Sequence, residues 1–143
     1  MKPTFDYQQL VQVAGDAIVV CDPDGVITLW NPAAQFMFGF SPDEALGQSL
    51  DLIIPERLRA RHWEGYRKTM ETGQTRYGHD VLRVPGVHKD GRSMSISFTV
   101  ALLYSQERKI TGIASIIRDE TAKFNEDRAL RKRLAELEAK SGA

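Results

Sequence analysis

The chain has 143 residues, 42% of them hydrophobic and 27% charged, the balance of an ordinary globular domain with enough chain to bury a core without staples. Nineteen Lys and Arg stand against nineteen Asp and Glu, so the formal net charge is zero, which argues against an electrostatic nucleic-acid binder. The single cysteine, Cys21, allows no internal disulfide and, with no CxxC or Cys/His cluster, no zinc site; a reducing, cytoplasmic compartment is the natural expectation.

The first residues, Met1-Lys2-Pro3-Thr4-Phe5-Asp6, lack the apolar stretch of a secretory leader. The longest apolar runs, such as Ala17-Ile18-Val19-Val20-Cys21, are far too short to cross a bilayer. Neither nucleic acid nor membrane is expected as a partner. Residues 1–15 read as an N-terminal cap segment in which Leu10, Val11 and Val13 pack a short helix against the core.

The body, residues 16–121, opens with the β-rich run Ala17–Cys21 and a turn, Asp22-Pro23-Asp24-Gly25, in which Pro pre-sets φ and Gly accepts a positive one. Val26–Trp30 completes a predicted hairpin. Asn31-Pro32 then caps and starts a helix that ends at Gly39, with Ala33, Ala34, Phe36, Met37 and Phe38 expected to bury one side. Ser41-Pro42-Asp43-Glu44 has the capping-box pattern of a second, shorter helix. The apolar stretch Leu50–Ile54 stops at Pro55, and a longer helix is predicted over Glu56–Thr72 with Gly73 as its stop.

The remainder of the body is predicted to be β. One strand is expected over Arg76–Val84, with Pro85–Gly91 as a loop. Ser93–Leu103 alternates with period two, placing Met94, Ile96, Phe98, Val100 and Leu102 on one face. Gln106–Lys109 is a polar turn before a last strand, Ile110–Ile117. Residues 122–143 form a linker helix in which Leu130, Leu134 and Leu137 follow the four–three rhythm of a coiled coil. Its basic residues Arg128, Arg131, Lys132 and Arg133 are balanced by Glu126, Asp127, Glu136 and Glu138, which suits a solvated helix better than a membrane-surface one.

The resulting order, β-β-α-α-α-β-β-β-α, gives an α+β fold: a five-stranded antiparallel sheet with helices on one face, plus a C-terminal helix. No GxSxG, P-loop, HExxH or GxGxxG following a strand is present, and the chain is read as a non-enzyme. Such a fold does not itself name a function.

Several segments in this order resemble the PAS family: Asp22-Pro23-Asp24-Gly25-Val26-Ile27-Thr28-Leu29-Trp30-Asn31-Pro32-Ala33-Ala34, then Phe38-Gly39-Phe40-Ser41 and Glu44-Ala45-Leu46-Gly47, then Lys89-Asp90-Gly91 before a strand. Arg118-Asp119-Glu120-Thr121 is similar to the Asp-x-Thr junction that joins many PAS cores to their output helices. The resemblance spans roughly residues 10–121. It implies a sheet cupped around a pocket closed by the middle helices, and a sensory role. A small ligand or cofactor would be bound, the chain would pair as a homodimer, and strain would pass through Asp119 and Thr121 to the following helix and on to a signalling partner protein.

Ile53-Ile54-Pro55-Glu56-Arg57-Leu58-Arg59-Ala60-Arg61-His62 resembles more narrowly the segment of haem-binding PAS domains in oxygen-sensing histidine kinases, where the corresponding His is the axial ligand. That resemblance implies haem b on His62, with Tyr66, Lys68, Arg76 and Leu82 completing the cofactor-binding set and the two cations placed for propionates. A neutral imidazole suits the iron. Leu82 departs from the pattern: it takes the place at which such sensors carry a distal Arg, and Arg83 beside it points to the opposite face of the strand.

The alternatives are a PAS module without cofactor, acting in dimerisation or protein interaction, and a flavin sensor. The Asn-Cys-Arg-Phe motif of photoactive flavin relatives is missing, and Cys21 reads as a small core residue. Trp30 is expected in the core or on a dimer face, and Trp63, about 100° from His62 on the helix, is expected to be the exposed one of the two. His79 and His88 read as surface residues, and Asp22, Asp24 and Asp90 as turn formers.

Overall fold

Asp22 builds the first turn. Its carboxylate accepts the backbone N–H groups of Asp24 (2.9 Å) and Val26 (3.0 Å), an Asx turn, and Gly25 adopts φ +83°. On either side run β1 (Ala17–Cys21) and β2 (Ile27–Trp30). The structure is a computed structural model that describes residues 3–75 and 80–142.

β5 (Ile110–Asp119) lies between β1 and β4 (Ser93–Tyr104), and β3 (Leu82–Val87) forms the far edge. The five-stranded order is β2-β1-β5-β4-β3, antiparallel at every pairing. Register follows the period-two pattern: Phe98 stands opposite Ile117, and Leu102 opposite Ile113. Ile113 and Ile117 in turn face Cys21 and Ala17. These side chains, with Val19, Met94 and Ile96, make the inner face.

The inner face is covered by α2 (Pro32–Phe38), α3 (Pro42–Ala45) and α4 (Arg59–Thr72), through Ala34, Phe38, Ala45, Trp63, Tyr66 and Met70. Between α3 and α4 the apolar stretch forms a 3₁₀ turn, Leu50–Ile53, and a second one spans Glu56–Leu58. The caps follow from residue type. Asn31 caps α2, Gly39 ends it in the left-handed region, and Ser41 with Glu44 forms a capping box on α3. Phe38 is fully buried, a placement that contributes about 2 kcal/mol.

Asn31 does more than cap. It is fully buried and uses its whole bonding capacity. Oδ1 accepts from the N–H groups of Ile18 (2.9 Å) and Ala34 (3.0 Å); Nδ2 donates to the carbonyls of Val11 (3.0 Å) and Asp16 (3.1 Å). One amide thus ties α1 (Tyr7–Val13), β1 and α2 together.

Four expectations are corrected. α1 forms but buries none of its residues; Leu10 and Val13 lie in solvent, because the helix is held by its backbone through Asn31 rather than by an apolar face. Phe36 is 92% exposed, since Ala34 and Phe38 occupy the side of α2 that meets the sheet. β3 begins at Leu82 and runs on through Pro85, Gly86 and Val87, where a loop was expected. An edge strand tolerates Pro because one N–H row has no partner strand. The long helix starts at Arg59, its first turn being 3₁₀. The expected strand start at Arg76, and the surface position of His79, lie outside the described residues.

α5 (Thr121–Ser141) extends from the end of β5 with no buried residue. Among the described residues, no helix is long and apolar enough to cross a membrane.

Candidate functional site

α4 is fastened across the β1–β2 turn. The Tyr66 hydroxyl donates to the carbonyl of Asp22 at 2.5 Å. Trp63 Nε1 donates to Asp51 Oδ1 at 2.7 Å, and its indole lies over Gly25. Arg59 adds bonds to the carbonyls of Ile54 (3.1 Å) and Asp51 (3.3 Å). Residues 59, 63, 66 and 70 recur at helical spacing, so one stripe of α4 carries every anchor.

His62 sits beside this stripe. Its ring meets Trp63 edge-on at 4.5 Å between centroids and tilts over Tyr66 at 5.8 Å. Nδ1 is buried with no hydrogen-bond partner, alone in this respect among buried side-chain nitrogens and oxygens of the described residues. Burial holds the imidazole below its ordinary 6.5, with Asp51 opposing weakly, so the ring is neutral at pH 7. Burial also lifts the Tyr66 phenol far out of the physiological range and pushes the Cys21 thiol up to about 12, with Asp22 adding to the second effect. Neither titrates near neutrality, and Cys21 has none of the thiolate character that reactivity needs.

At the other end of the sheet, Thr121 ties α5 to β4. Its N–H and hydroxyl both donate to Asp119 Oδ1, and Oγ1 accepts the N–H of Ser95 at 3.0 Å. Glu120 donates its N–H to Ser95 O at 2.8 Å and accepts from the Ser97 hydroxyl at 3.1 Å. Arg118 reaches Asp16 at 3.1 Å. The start of α5, the last strand and the segment before β1 are therefore coupled by direct bonds.

The sequence matches the family described as PAS fold over residues 6–119, from the start of α1 to the end of β5. The chain belongs to the PAS family. Among curated relatives it is 30% identical over 134 residues to "Sensor protein FixL" of Bradyrhizobium diazoefficiens, covering 92% of this chain and 25% of the relative. It is 29% identical to "Oxygen sensor protein DosP" of Escherichia coli, covering 76% of this chain and 13% of that protein. A solved PAS domain from Colwellia psychrerythraea superposes with a TM-score of 0.71 at 24% identity, over 81% of this chain and 95% of that one. The chain spans a quarter or less of the length of these curated relatives. It is a PAS sensory domain, homologous to parts of larger sensor proteins.

The PAS domain brings together some of the expected cofactor residues and separates others. His62 and Tyr66 share a face of α4. Lys68 lies on another face, exposed and 4.0 Å from Glu64. Leu82 stands opposite Phe98 on the inner face, and Arg83 faces outward opposite Ser97. Arg76 lies outside the described residues. In this arrangement a haem on His62 would need the packing around α4 to open. A site for a ligand of that size needs a cavity of about 300–1,000 Å³, and the rings of Trp63 and Tyr66 pack against His62. Two open clefts lie elsewhere among the described residues. One, about 390 Å³, runs between the end of α4 and the β4–β5 turn at Met70, Tyr104 and Arg108. The other, about 280 Å³, is on the outer face of the sheet.

Two further expectations are corrected. Trp63 is half-buried and anchored, because Asp51 and Gly25 receive it. His88 is likewise half-buried: its Nδ1 accepts the N–H of Asp90 at 3.1 Å and its ring packs on Gly39. Trp30 is in the core, its indole donating to the carbonyl of Phe40 at 2.9 Å. Sequence reasoning missed Asp51 and the Asp22 carbonyl. Their partners on α4 are 12 and 44 residues away, and no local pattern announces a pairing of that span.

Proposed function

We propose that this PAS domain is the input module of a larger signalling protein. Its input is a small polar ligand that takes up the unpartnered nitrogen of His62, and its output leaves through α5 of a homodimer. The buried, unbonded Nδ1 carries this reading. An orphaned buried polar atom costs about 1–3 kcal/mol, and a ligand that bonds to it recovers that energy only in the arrangement that admits the ligand. This differential affinity is what a sensor needs. The anchors that would respond are adjacent: Tyr66–Asp22 and Trp63–Asp51 tie α4 to the turn after β1. β1 pairs with β5, which runs into Asp119 and Thr121.

The homodimer is supported by the outer sheet face. Leu29, Val20, Ala114 and Ala101 form one cross-strand row and Ile18, Ile116 and Thr99 the next, with no helix over them among the described residues. That uncovered apolar face also favours the second reading, a cofactor-free dimerisation module.

Haem b on His62, which the resemblance implies and which would need the packing of Trp63 and Tyr66 to open, is a second form of the ligand reading, and flavin is a further alternative. A hemin titration followed by absorption, on the wild type beside His62→Ala, separates them. A Soret band present in the wild type and lost in the variant supports haem on His62. Yellow protein as isolated supports flavin. A wild type that stays colourless removes both cofactors and leaves the small-ligand and dimerisation readings.

A further inference from the structure

The cleft of about 390 Å³ at the end of α4 has a floor and two charged walls. Its floor is apolar: Met70 packs against the core, and Ile110 closes on Gly73, where a Cβ would stand 3.9 Å from Ile110 Cδ1. One wall, from α4, carries Glu71; the other, from the β4–β5 turn, carries Arg108 and Lys109. We infer that this cleft binds a zwitterion, an α-amino acid with an apolar side chain. Its carboxylate meets Arg108 and Lys109, and its ammonium meets Glu71.

The opposite charges line one cleft without neutralising one another. None of Glu71, Arg108 and Lys109 is in an ion pair among the described residues. Glu71 stands in the last turn of α4, where carbonyls without intrahelical partners add the negative end of the helix to its carboxylate. A ligand with one charge would satisfy one wall and leave the other unpaired. The contact of Ile110 with Gly73 keeps the walls close, which suits two poles borne on a single carbon. The ligand's side chain then lies on Met70 and against Tyr104, which stands opposite Ile110 and is half exposed.

The backbone of Arg108 is the second observation. It holds φ +63°, alone among the described non-glycine residues. Its N–H donates to Ser105 O at 3.0 Å, the Ser105 N–H donates to Lys109 O at 2.8 Å, and the strand register slips beside them at Leu103 and Tyr104. Glycine fills such a left-handed turn position most readily. A guanidinium is kept there against the local preference of the chain, as happens where a side chain is used. The cleft lies two turns of α4 beyond His62 and is a separate site. Pro23 also lines it, next to the Asp22 carbonyl that receives Tyr66, so an occupant touches the turn that fastens α4.

Titration of the full chain with L-phenylalanine, followed by amide NMR shifts, tests the inference. Phenylpropionate, which lacks the ammonium, and phenethylamine, which lacks the carboxylate, are titrated beside it. Saturable shifts are expected at Gly73, Tyr104 and Ile110, with each analogue binding about tenfold more weakly. Arg108→Gly is expected to weaken phenylalanine binding about tenfold without lowering the urea midpoint, since glycine suits the turn. Glu71→Gln is expected to weaken it several-fold, and His62→Ala to leave it unchanged, which separates this site from the one at His62. Three outcomes overturn the zwitterion site: no saturable shift, an analogue that binds as tightly as phenylalanine, or binding indifferent to either Arg108→Gly or Glu71→Gln.

Discussion

The indole of Trp63 lies against the α-carbon of Gly25: a Cβ there would stand 2.2 Å from Cζ3. The turn after β1 and the middle of α4 are thus fitted to one another at a point where a single methyl group is excluded. Gly25→Ala carries two costs, the left-handed backbone and this collision. Gly47 has the same φ of +83° with nothing within 4 Å, so Gly47→Ala carries the backbone cost alone, about 1–2 kcal/mol. Urea denaturation is expected to show Gly25→Ala losing more by about a further 1–2 kcal/mol.

His62 makes stability depend on pH in a defined direction. Burial sets its folded value below 6.5. As pH falls through 6.5 the unfolded chain takes up a proton before the folded chain does. Stability therefore falls on acidification between 6.5 and the folded value, and this contribution is flat above 6.5. Denaturation between pH 5 and 7.5 is expected to show that slope in the wild type and a shallower one in His62→Gln.

Asn31→Ala removes four hydrogen bonds at once and leaves the N–H groups of Ile18 and Ala34 without their acceptor. The expected loss is about 3 kcal/mol. Amide exchange at Ile18 and Ala34 is expected to quicken, and α1, held at the Val11 carbonyl, to come loose.

Thr121→Val takes the acceptor from Ser95 and the donor from Asp119. The first turn of α5 is expected to fray, at a cost of about 1–2 kcal/mol. Faster exchange at Ser95 and Phe124, with Ile96 and Ile113 unchanged, would show that the junction and not the sheet has loosened.

Much of this fold is legible in local chemistry. Asn31-Pro32, the Ser41–Glu44 capping box, the left-handed stops at Gly39 and Gly73 and the alternation of Met94 to Leu102 each act within a few residues, and each stands where its pattern places it. What escapes is decided at long range. Phe36 and Phe38 are alike in type and two residues apart, but only the sheet chooses which is buried. Pro85 and Gly86 read as a loop until the edge position of β3 makes them acceptable in a strand. At the site, His62 is identifiable by resemblance, whereas its surroundings depend on Trp63 finding Asp51 and Tyr66 finding Asp22.

The proposed sensory role requires that the unpartnered imidazole of His62 receive a ligand. Native mass spectrometry tests it most directly, on protein purified from a host supplied with iron and a haem precursor, wild type beside His62→Ala. A bound small molecule is expected as a discrete mass increment on the wild type, absent or much reduced in the variant. Equal spectra for the two proteins, whether both carry the increment or both lack it, would contradict a ligand site at His62.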